Sequence, residues 1–428
     1  MPAQPHDAVA TLDGPELTGP GPGPGPGPAP GEVDLTDPQT FLDRELVPMW
    51  RRFRRESPVH WHPTEGLMPG FWVLSRHRDV MAVYRDNRAF TSEQGNVLTT
   101  LLQGGDSASG KMLAVTDGVR HREIRNLLLK AFAPRVLERV VAGVRRRTER
   151  LVRTAVERGV CDFAQDVAEH IPMATIADLL GVPESDRGYL LSLTKQALSA
   201  EEAGQSVQDS LVARNELLLY FAELAEERRE EPTGDVISVL ATATIDGEPL
   251  TEEEIVFNCY SLILGGDETS RLSMICGMRE LIGHPAQWRR LRDGEVSVDS
   301  AVEEVLRWVT PAMHFGRRAV VDTEVGGQRI GAGDIVTLWN TSANYDEEVF
   351  TAPEVFDLGR TPNKHVSFGY GPHFCLGAYL GRAEIHAMLT ALRSFVAAAE
   401  LTGPGRPIHS NFLHGYSSLP VALTPATG

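Results

Sequence analysis

The sequence predicts a single large domain that is mainly α-helical with a minor β region. Three observations support this fold class. Apolar residues recur at three- and four-residue steps over long stretches. Strand-like segments are short and few. Beyond residue 33, no second linker rich in proline and glycine and no internal repeat divides the chain of 428 residues.

The first segment is a low-complexity tail. From Gly19 to Gly31 glycine and proline alternate almost strictly, a pattern that offers nothing apolar to bury. We expect residues 1–33 to form a disordered tail and residues 34–428 to form the folded domain.

Helical periodicity then dominates the middle of the chain. The apolar positions that carry it are Leu127, Leu128, Phe132, Leu137, Val140, Val141, Val144, Leu151, Val152 and Val156. The pattern predicts strands instead at residues 71–74, 319–330 and 335–339. The sheet is therefore expected to be small.

One helix differs from the others in length and composition. Thr251 and Glu254 have the spacing of a capping box, and the next strong helix breaker is Pro285. The helix would thus run about 30 residues, or roughly 45 Å. Its centre, residues 265–268, places two glycines and two acids in an apolar stretch. Such a violation of local rules is typical of a functional site.

Composition excludes several classes of protein. The chain has 41 basic and 58 acidic residues, and the net charge of −17 disfavours nucleic acid as a partner. Its four cysteines form no CxxC pair, which argues against a zinc ribbon or a disulfide framework. With no apolar stretch long enough for a membrane span and no signal-like N-terminus, we expect a soluble cytoplasmic protein.

Residues 368–377 combine glycines, aromatic residues and one cysteine, Cys375, directly before a helix-like stretch. A thiolate is favoured at a helix N-terminus, and glycines let the backbone approach a flat ligand closely. Cys375 is therefore the candidate metal ligand. Cys161, Cys259 and Cys276 lie in apolar contexts and are expected to be buried, inert thiols.

These residues resemble a known family. Phe368-x-x-Gly371-x-His373-x-Cys375-x-Gly377 resembles the haem-binding signature of the cytochrome P-450 superfamily, and residues 265–269 resemble its oxygen-activating helix. The resemblance runs from about residue 35 to the C-terminus. It implies a single haem domain with the long helix lying over haem b and Cys375 ligating its iron. Gly265, Gly266 and Phe368 would lie against the cofactor.

Further haem contacts follow from the resemblance. His121 and Arg125 are four residues apart on one helical face, which suits a grip on carboxylates, although a solvated face is the alternative. The family pattern makes these two residues ligands of the haem propionates, together with Arg317 and His373.

The pair Glu304 and Arg307 resembles the family's ExxR motif, with Arg360 completing a charge network behind the haem. The spacing alone is not specific. It also occurs in Glu184/Arg187, Glu226/Arg229 and Glu268/Arg271, which we interpret as surface helix pairs.

The resemblance also implies an activity. Glu268 and Thr269 would deliver protons during monooxygenation, in which one oxygen atom from O2 enters a bulky, mostly apolar molecule of natural-product biosynthesis. Alternatives are a peroxygenase driven by hydrogen peroxide, another oxidative reaction such as coupling or ring formation and, more remotely, a non-catalytic haem-thiolate sensor. Electrons would come from a separate ferredoxin and an NAD(P)H-dependent ferredoxin reductase. We expect a monomer.

The substrate and the redox partner would meet different surfaces. By resemblance, the loops that face the substrate contribute Val97, Leu98, Leu102, Met313, His314, Phe412 and Leu413. The ferredoxin would dock at the helix that bears Arg120, Arg122, Arg125 and Lys130.

Overall fold

The computed structural model describes residues 27–43, 46–66, 68–132, 134–198 and 207–426. Helices account for 55% of the structure and strands for 13%, which confirms the predicted mainly α fold class. The first 26 residues, with most of the Gly/Pro tail, lie outside the described residues.

The α-helices are α1 (Thr40–Asp43), α2 (Leu46–Glu56), α3 (His77–Arg85), α4 (Leu98–Leu102), α5 (Gly118–Ala131), α6 (Pro134–Arg158), α7 (His170–Leu180), α8 (Arg187–Leu198), α9 (Val207–Glu230), α10 (Val236–Thr242), α11 (Glu252–Gly283), α12 (Pro285–Arg292), α13 (Val298–Val309), α14 (Asn340–Ala343) and α15 (Ala378–Phe395). Short 3₁₀ turns and one π-helical turn connect several of them.

The strands are β1 (Val59–His62), β2 (Phe71–Leu74), β3 (Phe90–Thr91), β4 (Val160–Asp162), β5 (Thr244–Ile245), β6 (Glu248–Pro249), β7 (Phe315–Ala319), β8 (Thr323–Val325), β9 (Gln328–Ile330), β10 (Ile335–Leu338), β11 (Val396–Leu401), β12 (Arg406–Pro407), β13 (Tyr416–Ser418) and β14 (Pro420–Pro425). The largest sheet has the order β1-β2-β10-β7-β3. In it β2 and β10 are parallel and the other neighbours are antiparallel. Arg317 lies on β7 of this sheet.

The long helix predicted from the sequence is α11, with 32 residues. The Thr251 side chain accepts a hydrogen bond from the Glu254 N–H, and the Glu254 carboxylate accepts one from the Thr251 N–H. These reciprocal bonds form the predicted capping box. The helix packs against α7, α9, α13 and α15, so it crosses the main apolar core from one side to the other.

Residues 27–33, which the sequence analysis assigns to the tail, contact the rest of the described chain. Arg52 Nη1 donates to the Gly27 carbonyl over 2.9 Å, and residues 30–32 form a 3₁₀ turn. The side chain of Val33 is 4% exposed and belongs to an apolar cluster with α2. Burial of Val33 and Pro30 on α2 explains why residues 27–33 pack although their composition resembles that of a tail.

A helix that could cross a bilayer would have to be both long and strongly apolar, and none of those in the described ranges meets both conditions.

Candidate active site

A cavity of about 680 Å³ lies between the centre of α11 and the loop that precedes α15. Its walls also include α5, β7 and the segments around residues 96–100 and 410–413. A volume of this size is in the range of sites for cofactors and drug-sized ligands.

The Cys375 side chain faces this cavity from the loop before α15. The Cys375 N–H donates to the Phe368 carbonyl over 3.0 Å, which closes the loop. Gly371 has a φ of 73°, and a side chain at this position would collide with the carbonyl oxygen of Tyr84. A glycine is therefore required for the loop to approach α3.

The protonation of Cys375 is set by opposing influences. Although the side chain borders the cavity, the surrounding protein raises its pKa by desolvation. The Gly377 N–H and the cations of Arg125 and Arg382 act in the other direction. A metal ion bound to the sulfur would add to these groups and hold the thiolate.

The other cysteines are buried, as expected. Burial raises the pKa of Cys161 to about 11 and that of Cys276 to about 12, and it also raises the pKa of Cys259. Of the four thiols, Cys375 alone faces the cavity.

Four basic side chains converge on the wall beside Cys375. They are His121 and Arg125 of α5, Arg317 of β7 and His373. The rings of His121 and His373 are 4.3 Å apart, and His121 Nε2 is buried without a hydrogen-bond partner. Arg317 is 5% exposed, and its side chain donates to the Gly316 carbonyl over 2.7 Å. Within the described ranges neither Arg125 nor Arg317 has a carboxylate partner, so this wall suits an anionic ligand.

The opposite wall is the centre of α11. A Cβ on Gly265 would meet no atom within 4 Å, whereas one on Gly266 would lie 3.2 Å from Ile176. Gly265 therefore leaves space on the cavity side and Gly266 permits close packing on α7. Thr269 Oγ1 donates to the Gly265 carbonyl over 2.9 Å and also lines the cavity.

Comparison with known proteins identifies this arrangement. The cytochrome P-450 family model matches residues 199–404. The chain is 49% identical to cytochrome P-450 NovI of Streptomyces niveus over 393 residues, which covers 92% of this chain and 97% of that protein. The chain belongs to the cytochrome P-450 family. It is a haem-thiolate monooxygenase, an oxidoreductase that binds haem b.

Other relatives agree with this assignment. A steroid C26-monooxygenase of Rhodococcus jostii strain RHA1 is 32% identical, covering 92% of this chain and 85% of that protein. The crystal structure of P-450 OxyD superposes with a TM-score of 0.83 at 33% identity, covering 92% of this chain and all of OxyD. Both the family and the fold predicted from the sequence are thus confirmed.

The side chains of this P-450 fit the cofactor. The unpaired donor of His121 and the carboxylate-free guanidinium groups of Arg125 and Arg317 would hold the two propionates, with His373 beside them. Cys375 would ligate the iron, and Gly265 leaves room on the opposite face. Haem bound here supplies an iron at which dioxygen is bound and activated.

His373 is positioned by a residue that the sequence analysis did not select. Asp117 Oδ1 lies 2.7 Å from His373 Nε2, and Asp117 Oδ2 accepts from Thr91 Oγ1 and the Ser92 N–H at 2.7 Å each. These bonds hold the pKa of Asp117 at about 2 despite partial burial. Asp117 precedes α5, where an aspartate usually signals only a helix cap. This is why its role was missed.

Glu268 and Arg271 form a buried ion pair, not the surface pair predicted from their spacing. The side chains are 3% and 1% exposed, and Glu268 Oε2 lies 2.6 Å from Arg271 Nη2. The prediction failed because spacing does not show which face of α11 packs on neighbouring helices. Burial similarly raises the pKa of the adjacent Asp267, which accepts from Thr194 Oγ1 over 3.3 Å.

Glu384 is a second residue that sequence reasoning missed. It lies on α15, lines the cavity and is 2% exposed. Desolvation raises its pKa to about 7, while hydrogen bonds from Ser270 and Thr175 partly oppose the shift. Glutamate inside an amphipathic helix carries no local signal of such burial.

The predicted network around Glu304 is present. Arg307 Nε and Nη2 each donate to the Glu304 carboxylate over 2.8 Å, and Arg360 Nε donates to it over 3.0 Å. Arg307 Nη1 also donates to the carbonyl of Asn344, whose side chain contacts Ser367 and the Val366 N–H. The network therefore supports the loop that leads to Phe368 and Cys375.

The predicted substrate residues fall into two groups. Val97, Phe412 and Leu413 line the cavity. Leu98, Leu102, Met313 and His314 lie outside its lining, and their contact with substrate stays a prediction. Three of them pack with the N-terminal apolar cluster, while His314 is fully buried against Trp339 with a ring separation of 4.5 Å. Leu98 and Leu102 lie four residues apart on α4, so they share a face of that helix, and this face packs on the N-terminal apolar cluster.

Proposed function

We propose that this P-450 inserts one oxygen atom from dioxygen into a bulky, mostly apolar small molecule of natural-product biosynthesis. The observation that carries the proposal is that Cys375 and Thr269 line the same cavity. A similar solved structure supports the role in natural-product biosynthesis, because OxyD is described as involved in the biosynthesis of vancomycin-type antibiotics.

The reaction requires protons as well as electrons. One oxygen atom enters a C–H or C=C bond of the substrate, and two electrons and two protons reduce the other atom to water. Thr269 places its hydroxyl oxygen at the cavity surface while its proton is donated to the Gly265 carbonyl, and the buried carboxyls of Glu268 and Glu384 also line the cavity. We assign Thr269 and Glu268 to proton delivery.

The shape and lining of the cavity support an apolar substrate. Apart from the haem contacts, much of the wall consists of aliphatic and aromatic side chains: Val97, Ile176, Leu262, Leu264, Ala312, Phe315, Phe412 and Leu413. Removal of apolar ligand surface from water would then provide most of the binding free energy.

Electrons are proposed to come from a separate ferredoxin and an NAD(P)H-dependent reductase. Arg122 and Lys130 of α5 are exposed, and Val119 and Phe374 are exposed apolar residues beside them. Arg120 fits the predicted docking surface less well, because its Nε donates to Glu254 over 2.8 Å. An acidic ferredoxin would therefore contact Arg122 and Lys130 on the Cys375 side.

We further propose that residues 34–428 act as one haem domain in a cytoplasmic monomer. The support for a single domain is that one cavity is lined by segments as distant as Tyr84 and Leu413.

An isotope experiment tests the proposed reaction. Purified haem-loaded protein, a [2Fe–2S] ferredoxin, its reductase and NADPH are incubated under ¹⁸O₂ with apolar candidate substrates that shift the iron spin state. The proposal predicts a product containing one ¹⁸O atom. A product that forms only with hydrogen peroxide would favour a peroxygenase, and a coupled or cyclised product without label would favour another oxidation.

A charge reversal tests the docking surface. Arg122→Glu should slow reduction by ferredoxin several-fold and weaken its dependence on salt, because the attraction is electrostatic. Arg329→Glu, on the exposed β9 strand, is the matched control and should leave both unchanged. Equal rates and salt dependence in the two variants would contradict the proposed surface.

A further inference from the structure

Most of the charged side chains that line the cavity have a role in the proposed function. Those beside Cys375 face the haem propionates, and Glu268 and Glu384 lie behind Thr269. Two charged residues on the described walls remain without a role, Asp106 and Arg214. Arg214 is the remaining cation, and it comes from α9, on a different wall from the haem contacts.

Arg214 has contacts that hold it in place but, within the described ranges, no carboxylate partner. Its Nη2 donates to Ser107 Oγ over 2.9 Å, and its guanidinium carbon lies 5.6 Å from the centre of the Tyr260 ring. None of the carboxylates in the described ranges forms an ion pair with it, unlike Arg228 on the same helix, which pairs with Asp235. A guanidinium carries five N–H donors, so most of its hydrogen-bonding capacity is left for a ligand.

Asp106 forms no ion pair with Arg214 in the described ranges. Its Oδ1 accepts from the Ala108 N–H over 2.9 Å, so the carboxylate stabilises its own turn. Arg214 and Asp106 both act electrostatically on Tyr260, in opposite directions, which places them around one aromatic side chain. The planar, part-shielded guanidinium is the group best suited to bind a carboxylate in bidentate fashion.

The position of Tyr260 sets the length of such a ligand. Tyr260 precedes Thr269 by nine residues on α11, which corresponds to about 13 Å along the helix axis. A group held at Arg214 is thus separated from the reacting position by the apolar middle of the cavity, which includes Leu262 and Leu264.

Resting on the proposed function, we infer that Arg214 anchors an anionic group, a carboxylate, at the far end of the substrate. The substrate class is then an elongated or bulky apolar acid, with the apolar body along α11 and the oxidised carbon near Thr269. The anchor would determine which carbon of the body reaches the reacting position.

A matched ligand series tests the inference by optical and calorimetric titration of the haem-loaded protein. The probes are ω-phenylalkanoates of increasing chain length, their methyl esters and the corresponding trimethylammonium compounds, whose nitrogen has no lone pair with which to ligate the haem iron. Wild-type protein should bind the longer acids about tenfold or more tightly than the matching esters, because a charge-assisted hydrogen bond is lost in the ester.

The variant Arg214→Gln should abolish this preference and leave the affinity for esters unchanged. Arg229→Gln, an exposed arginine of the same helix outside the cavity lining, is the matched control and should keep the preference. Equal affinity for acids and esters, a preference that survives in Arg214→Gln, or tighter binding of the trimethylammonium compounds would each overturn the inference.

The outcome can be separated from the proposed function. If acids and esters bind equally while the protein still yields a single ¹⁸O-labelled product from another apolar substrate, only the anchor is wrong. If the acid preference depends on Arg214 but no labelled product forms with any bound ligand, the binding site stands and the proposed reaction fails.

Discussion

At the Cys375 end of the cavity Arg125 and His373 are fixed by hydrogen bonds to other elements, whereas at the α9 end, within the described ranges, the hydrogen bond that holds Arg214 is the one to Ser107. Arg125 donates to the Phe374 carbonyl over 2.7 Å, and His373 is bonded to Asp117. The cofactor end is thus preorganised by its own contacts, while the substrate end keeps hydrogen-bonding capacity for its ligand. Changes at the first end should affect haem loading, and changes at the second should affect ligand selection.

The largest effect is expected from the network that supports the cysteine loop. Glu304→Ala would leave Arg307 and Arg360 buried without their carboxylate, which should cost about 3–5 kcal/mol of unfolding free energy and most of the haem loading. The measurements are the haem-to-protein ratio and denaturant unfolding. Glu149→Ala, at an exposed ion pair with Arg153, should cost at most about 1 kcal/mol. Similar values for the two variants would contradict the supporting role of the network.

A pH-dependent effect is expected from Glu384. Its folded pKa of about 7 is raised above the usual value of 4.5, so the native state retains a proton that the unfolded state has lost. The unfolding free energy should therefore fall as pH rises from about 4.5 to 7, by up to about 3 kcal/mol from this group. Glu384→Gln should flatten this part of the pH profile. An unchanged slope would show that the carboxyl does not titrate in this range.

A smaller effect, confined to turnover, is expected at Thr269. Thr269→Ala removes the hydroxyl that donates to the Gly265 carbonyl but no contact to Cys375. Substrate binding should stay unchanged, and the ratio of product to NAD(P)H consumed should fall about tenfold or more as reduced oxygen leaves as hydrogen peroxide. Glu268→Gln should act in the same direction. Wild-type ratios in both variants would exclude these residues from proton delivery.

The smallest effect is expected at His314. Its ring is fully buried between Trp339 and Phe412, and burial lowers its pKa to about 3, so it stays neutral. His314→Phe keeps the aromatic packing and should change ligand dissociation constants by less than about twofold. A large, ligand-specific loss in spin-state titrations would restore this residue to the substrate site.

The sequence predicted which groups lie close together at the Cys375 end of the cavity, because several of them are separated by short spacings. The glycines and Cys375 lie within ten residues, and His121 and Arg125 lie on one helical turn, so local geometry brings these groups together. The long helix was predictable for the same reason, since its capping box and breaker are local signals.

The remaining features depend on contacts between distant segments. Asp117 reaches His373 across 256 positions of sequence, and Arg214 meets Tyr260 only because α9 packs on α11. Burial of Glu268 with Arg271 and of Glu384 likewise depends on which helices surround them. Single-sequence periodicity contains no information on these pairings, which also explains why the positions of Leu98 and His314 outside the cavity lining were not predicted.

The central claim is that Cys375 alone supplies the thiolate to the haem iron, and the ferrous carbonyl spectrum tests it most directly. Wild-type protein should show the red-shifted Soret band of a thiolate complex, and Cys276→Ala, which removes a buried thiol away from the cavity, should show the same band. Cys375→Ser should lose this band. Retention of the thiolate band in Cys375→Ser would contradict the assignment of the site.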